Sequence, residues 1–598
     1  MTSHGAAGAD PRQIHQNLTE ALALHKAGRL AEAGRIYRAV LAQVPAHFDA
    51  MHLLGTALAQ AGQRAEAESY LRAAVAIAPA HAAARNNLGN LLKDLGKLEE
   101  ALAHYDRAIA LLPEDSSAHS NRGNVLREMG RREEALAAYA QAIALRPDSA
   151  DAHYNHGVVL TELNRPEEAL ASYDRAIALS PGKSEAHYNR GTVLRTLGRL
   201  EEALESYDRA LALKPNGEKI LSNRGNILAE LDQLEAALDS FDRSIAAKPD
   251  YPPPYSNRAN ILKEFGRFDE ALASFDRAIA LDPDFVEAHW NRSLCLLQRG
   301  AFAEGWAEYE WRRRKAGWAS ARHDLTEPCW LGHSDPSGKT ILVHVEQGFG
   351  DTLQFCRYLP LLAARGARVV FEAERSLQGL LRGLPGIAQL LVKGSPLPPF
   401  DYYCPLMSLP LAFGTELGTI PAAPRYLAAE PARMAAWRSW LGESKRRRIG
   451  IAWSGSPLHR NDRHRSIPLA TFARLWAVDA DFVVLQRDFR PGEREALAGM
   501  PGVRVPETLT DFSDTAALCE LVDLVISVDT SVAHLAGALG RPVWLLLPGI
   551  NPDWRWLLDR TDSPWYPTMR LFRRDLKEGW PSLLDRVATA LTTGNEPN

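Results

Sequence analysis

The chain has 598 residues, 46% hydrophobic and 24% charged, with a formal net charge of −4, the composition of a globular protein of several domains. A near-neutral balance with pI ≈ 6.5 argues against a nucleic-acid binder, which would show a basic face. Five scattered cysteines (Cys295, Cys329, Cys356, Cys404 and Cys519) without a CxxC spacing exclude a disulfide frame or zinc site, and no apolar leader or 18-residue apolar run marks a membrane segment, so a cytoplasmic protein with reduced thiols is expected.

Residues 1–13 carry no periodic pattern and are expected to be disordered. From there, Pro45, Pro79, Pro113, Pro147, Pro181, Pro215, Pro249 and Pro283 stand 34 residues apart. A fixed period of this length marks a helix–turn–helix solenoid. With proline as position 32, eight repeats run from 14–47 to 252–285, and each proline closes a second helix because it cannot extend the hydrogen-bond ladder. Position 8 is Gly or Ala, position 20 is Ala throughout, and position 24 is aromatic from Tyr105 to Phe275. Small residues let the helices approach, and the aromatic ring fills the remaining gap. This pattern resembles the tetratricopeptide repeat. A ninth unit, 286–317, is degenerate, with Arg312 at position 27, which is small in the other units (Val40, Ala74 and on to Ala278), and Gly317 in place of proline; it brings in Trp290, Trp306 and Trp311. All 14 tryptophans lie at or after Trp290, so a second kind of core begins there, and the ninth unit is expected to dock on it.

Position 6 reads Asn87, Asn121, Asn155, Asn189, Asn223, Asn257 and Asn291. A carboxamide has two donors and an acceptor and can pair with a peptide backbone whatever its sequence. A ladder on the inner, concave side of such a superhelix is therefore a candidate acceptor-peptide site. The alternative is that each asparagine bonds a neighbouring helix and spaces the repeats. The ladder is similar to that in the O-GlcNAc transferase family, where it holds the acceptor polypeptide. Arg at position 7 and Asp at position 25 recur, and read as ion pairs between helices.

Beyond Lys339 strands alternate with helices. Strands are expected at Thr340–Glu346, Arg368–Glu372 and Gln389–Val392, and after an Ala/Pro/Arg-rich linker (421–447) at Ile449–Trp453, Phe482–Gln486, Val503–Val505, Leu524–Val528 and Val543–Leu547. Alternation of this kind implies parallel sheets with helices on both faces, in two domains at 338–430 and 447–590. Three local motifs are decoys. Gly332 to Thr340 mimics a P-loop but precedes its strand; Gly348-Phe349-Gly350 lacks the third glycine of a dinucleotide loop; Asp479-Ala480-Asp481 leads straight into a strand, and no metal is expected.

Three segments follow the carboxyl ends of strands, where such sheets place their ligand. They are Gly348-Phe349-Gly350-Asp351, Trp453-Ser454-Gly455-Ser456 continuing to Arg465-Ser466-Ile467-Pro468, and Asp529-Thr530-Ser531 continuing to His534. Thr530 and Ser531 open a helix whose N–H groups make an anion site. Together the segments resemble family 9, heptosyltransferase-like glycosyltransferases. The resemblance implies a fold class of an α-solenoid followed by an α/β GT-B fold of two Rossmann-like domains. It assigns donor binding to Gly348, Gly350, Ser454, Ser456, Arg465, Asp529, Thr530, Ser531 and His534, and the catalytic base to Asp351. Helix N-capping is the alternative role for Asp351 and Asp529, and a helix N-terminus favours the charged carboxylate, lowering its basicity. The segment 551–556 is expected to close the cleft.

The layout resembles bacterial repeat-containing flagellin glycosyltransferases. The expected function is inverting transfer from a nucleotide sugar, without a cofactor, to a protein acceptor held by the repeats, with flagellin Ser/Thr as one such acceptor. Two alternatives stand beside it: a lipid-linked or polysaccharide acceptor with the repeats recruiting a protein partner, and a non-catalytic repeat scaffold. No nucleic-acid or integral membrane contact is expected.

Overall fold

A computed structural model describes residues 10–315, 325–346, 348–457, 462–549, 552–575 and 578–593. The chain divides into two compact units, Met1–Pro249 and Asp250–Asn598.

The first unit is built of helix pairs. After Pro11–Lys26 and Leu30–Gln43, helices of 13 and 14 residues alternate from Phe48–Gln60 and Arg64–Ile77 to Glu218–Glu230 and Leu234–Ala247. The first helix begins at Pro11, capped by the Asp10 carboxylate, so residues 11–13 are helical and the expected disorder does not extend to them. Each pair turns through one left-handed residue, mostly glycine. Where glycine is missing, Asn164 (φ 57°) and Asp232 (φ 58°) take its place, as the two residue types that tolerate this region best.

Packing within a pair explains the small and aromatic positions. Gly123 faces the Tyr139 ring so closely that an added Cβ would lie 2.8 Å from Cε1. Replacing Gly123 with Val is expected to cost about 1–3 kcal/mol through overpacking, read as a lower unfolding midpoint. The Arg–Asp pairs join consecutive repeats, as in Arg122–Asp106, Arg190–Asp174 and Arg224–Asp208, each at 2.6 Å. His119, His153 and His187 bond the carbonyls of Pro113, Pro147 and Pro181 through Nε2 at 2.9–3.1 Å, occupying acceptors that the helix end leaves unpaired.

The second unit opens with two more helix pairs, Pro252–Glu264 with Phe268–Leu281 and Val286–Gln298 with Phe302–Tyr309, then a 3-10 turn, Glu310–Arg314. Two parallel sheets follow, an α/β architecture. The first has β1 (Thr340–His344), β2 (Arg368–Ala373), β3 (Ile387–Val392) and β4 (Tyr402–Pro405) in the order β3-β2-β1-β4. The second has β5 (Arg448–Ala452), β6 (Asp481–Val484), β7 (Val503–Arg504), β8 (Leu524–Val528), β9 (Val543–Leu547) and β10 (Met569–Arg573) in the order β10-β9-β8-β5-β6-β7. Alternate residues of β8 and β9 enter different cores: Val525, Val543 and Leu545 join one, Ile526, Trp544 and Leu546 the other. Burial on both faces accounts for their unbroken apolar runs.

Beyond shifts of one or two residues at strand ends, three boundaries differ from the sequence reading. The segment 421–447 contains the helix Pro431–Leu441 and is not a simple linker. Trp330 N–H bonds Tyr403 O at 2.8 Å, so the first α/β region starts before 338. The last helix, Trp580–Thr593, runs past 590. Among the described residues no helix is long and apolar enough to cross a membrane.

The degenerate ninth repeat docks as expected. Leu297, Phe302, Trp306 and Tyr309 belong to the same core as strands β1 and β9. Trp306 donates from Nε1 to Thr415 O at 3.1 Å and meets Trp554 edge-on at 5.1 Å. Arg312, fully buried, gives two hydrogen bonds to Glu346 at 3.0 and 2.9 Å, one to Ser408 Oγ at 2.7 Å and one to Glu310 at 2.6 Å. The residue that breaks the repeat pattern is the one that pins this repeat to β1.

Candidate functional site

In the second sheet the strand order reverses between β5 and β8, the switch point at which parallel α/β sheets receive ligands. The loops after β1, β5 and β8 border one cavity of about 810 Å³. Gly348, Gly350, Asp351, Ser454, Ser456, Arg465, Asp529, Thr530, Ser531 and His534 all line it. Gln347, between β1 and this cavity, lies outside the described residues.

After β5, Gln486 fixes the backbone. Its Oε1 accepts from the N–H groups of Trp453 and Ser454 at 2.9 and 3.3 Å, and its Nε2 donates to Ser454 Oγ at 3.1 Å. Gly455 admits the Arg465 guanidinium, since a Cβ there would sit 2.6 Å from Nη2. Arg465 Nη1 donates to Asp529 O at 3.0 Å, while its buried Nε–H has no hydrogen-bond acceptor among the described residues, the Asp462 carboxylate lying 3.6 Å away. A buried, unsatisfied cationic donor suits an anion.

After β8, Thr530 is the N-cap of the helix Ser531–Ala538. Asp529 therefore is not the cap, and that alternative reading of it is corrected. Burial and the nearby Asp553 raise the Asp529 carboxyl to about 6. His534 is buried, bonds Tyr566 Oη at 2.9 Å through Nδ1, and is held neutral by burial and by Arg555. An added Cβ on Gly350 would lie 2.9 Å from His534 Cδ2. The two helix starts can meet only because this residue is glycine.

Asp351 stands in the first turn of the helix Phe349–Phe355, whose N-cap is Gly348. It is not the N-cap itself, but its carboxylate accepts from the Gly348 backbone N–H, so a turn-fixing role stands beside the expected catalytic one. Burial raises its proton affinity, opposed mainly by Arg555, so desolvation outweighs the lowering expected from the helix terminus. Arg555 Nη2 donates to Asp351 Oδ1, a contact hidden from sequence because the two residues are 204 positions apart. Arg555 belongs to the segment expected to close the cleft; of that segment, Asn551 lies outside the described residues.

In the repeats, the ladder side chains are half-buried. Nδ2 of Asn121, Asn189 and Asn223 donates to Asn86 Oδ1, Tyr154 Oη and Tyr188 Oη of the preceding repeat at 3.0–3.2 Å. Asn87 contacts His52 Nε2 at 2.8 Å, and Asn155 contacts Asn124 Oδ1 at 3.4 Å. The spacing role is thus present, and Asn87 also donates to Thr56 Oγ1 at 3.4 Å; in all of these contacts the carboxamide nitrogen is the atom used. Asn257 and Asn291 belong to the second unit.

Family models described as tetratricopeptide repeat match residues 24–76, 120–184, 162–218, 188–252 and 257–311, and one described as TPR repeat matches 89–130. Protein FlbA of Caulobacter vibrioides is 28% identical over 312 residues, 48% of this chain and 52% of that protein. The chain spans about half the length of the curated relative it matches. Among solved structures, YrrB, a TPR protein with an unusual peptide-binding site, is 29% identical, covering 31% of this chain and 95% of its own, at a TM-score of 0.29. Pseudomonas aeruginosa PilF is 22% identical, covering 35% and 94%, at a TM-score of 0.32. The N-terminal region of this chain, through residue 311, is a run of tetratricopeptide repeats.

Proposed function

We propose that the second unit is a GT-B glycosyltransferase that moves a sugar from a nucleotide sugar to a hydroxyl of a protein acceptor, and that the repeats select the acceptor through the asparagine ladder. One observation carries this reading. Three loops distant in sequence bring a buried carboxylate, an arginine with an unsatisfied donor and a helix N-terminus to one cavity at a sheet switch point.

The chemistry follows from that set. Arg465 and the first N–H groups of the helix Ser531–Ala538 receive the donor's phosphate. Asp351 takes the proton as the acceptor oxygen bonds the anomeric carbon, and the bond to phosphate breaks with its electron pair leaving on the phosphate. A single displacement inverts the anomeric centre. Arg465 and the helix terminus supply positive charge where the leaving group gains negative charge. Ser or Thr of flagellin is the acceptor suggested by the chain's layout.

Asp529 gives a pH test of the donor site. With its carboxyl raised to about 6, it is charged at pH 7.5 and neutral at pH 5, so its repulsion of an anion fades as pH falls. Nucleotide sugars keep a constant phosphate charge over this range. Titration with UDP-, GDP-, ADP- and CMP-sugars is expected to find one class whose affinity strengthens several-fold from pH 7.5 to 5, with the slope lost in Asp529→Asn. Absence of binding by every class would remove the donor reading.

A further inference from the structure

Three arginines border the cavity, Arg465, Arg487 and Arg555, and an arginine beside a phosphate site is ordinarily read as a phosphate ligand. The surroundings of Arg465 and Arg555 are not alike. Among the described residues the Arg465 Nε–H has no hydrogen-bond acceptor, only the Asp462 carboxylate at 3.6 Å. Arg555, 6% exposed as a residue, is committed to protein acceptors on every guanidinium nitrogen. Nε donates to Gln354 Oε1 at 2.6 Å, Nη1 to both oxygens of Asp553 at 2.9 and 3.1 Å, and Nη2 to Asp351. Four of its five N–H groups are thereby used.

The backbone beneath it is fastened as well. Asp553 caps the turn Trp554–Trp556 by accepting from Arg555 N at 3.0 Å. Gln298 of the ninth repeat donates to Pro552 O at 3.2 Å, and Trp554 packs on Trp306. The charged and titratable groups facing Asp351 are Arg555 and Asp553 from this segment, Glu346 beyond β1 and Tyr309 from the ninth repeat. Glu346 is already engaged by Arg312. Arg555 and Asp553 are then the opposed pair that acts on Asp351.

We infer that Arg555 is a positioning residue for the base and not a ligand of the donor: it orients the Asp351 carboxylate and, opposed by Asp553, sets the pH at which that carboxylate takes a proton. The inference rests on Asp351 acting as the base. It predicts opposite effects from two substitutions. Removing the cation makes Asp351 harder to ionise, and removing the Asp553 charge makes it easier.

The test uses the full chain, pH–rate profiles of sugar release, and titration with ADP, GDP, UDP and CDP, each alone. Arg555→Ala is expected to raise the acid limb of the profile by about one to three pH units and to lower the rate at neutral pH at least tenfold. Arg555→Lys, which keeps the charge and guards against misfolding of the alanine variant, restores part of both. Asp553→Asn lowers the acid limb. All three keep nucleoside diphosphate affinity within about threefold, whereas Arg465→Ala loses tenfold or more. Weakened diphosphate binding in Arg555→Lys with an unmoved acid limb would overturn the inference. Failure of the wild-type chain to bind any of the four counts against a diphosphate donor, leaving a CMP-sugar, and not against this assignment.

Discussion

Asp351→Asn is expected to reduce sugar transfer by about 10²–10⁴-fold, the usual contribution of a positioned general base, while nucleotide binding stays intact. The amide keeps the shape and still accepts a hydrogen bond from Arg555, so the segment 552–556 should hold its place. Asparagine cannot take the acceptor's proton. The native carboxylate has its proton affinity raised by burial, so replacing it with a neutral group removes a desolvation cost and should leave stability equal or higher. Single-turnover transfer with parallel thermal denaturation separates the two effects. Full transfer by the variant would remove Asp351 from the mechanism, whereas joint loss of stability and transfer would make it structural.

Arg312→Ala should have the largest effect on stability. The side chain is fully buried and binds Glu346, which is itself 2% exposed at the side chain. Breaking such a pair from one side leaves a buried carboxylate uncompensated and costs about 3–5 kcal/mol. Glu346 also accepts from Met407 N–H at 3.1 Å, so the damage should spread to the turn after β4. Chemical denaturation is expected to show the second unit unfolding at lower denaturant. Met at 312 leaves the same carboxylate unpaired and should do no better, but Arg312→Met combined with Glu346→Gln should recover part of the loss. An unchanged midpoint in Arg312→Ala would show that the ninth repeat is not pinned through this residue.

Much of the molecule was legible because its signals are local. The proline period, the alanines at position 20 and the Arg–Asp recurrence each report on neighbours one helix away. The strand-to-helix turns after β1, β5 and β8 were legible for a related reason: parallel strands buried on both faces read as apolar runs, and glycine, serine or aspartate marks where each ends. What escaped lies where those signals weaken. β4 and β10 are edge strands, and β10 carries Arg570 and Arg573 among its apolar residues, a pattern suited to an edge but unlike a buried run. The helix Pro431–Leu441 was hidden by its composition, although Pro431 stands at the first helical position, where proline is favoured. Arg555 was legible only as part of the segment 551–556, because two of its three partners, Gln354 and Asp351, lie 201 and 204 residues away. The choice between capping and catalytic roles for Asp351 and Asp529 also needed coordinates, since the N-cap falls three residues before the one and one residue after the other.

The central claim is that this chain transfers a sugar onto protein. Intact-mass analysis of flagellin and other secreted proteins, from cells with the chain and cells lacking it, tests that claim most directly. The account predicts at least one protein heavier by whole sugar residues only where the chain is present, with the increment lost when Asp351→Asn replaces the native form. Identical masses across the full set, with and without the chain, would contradict it.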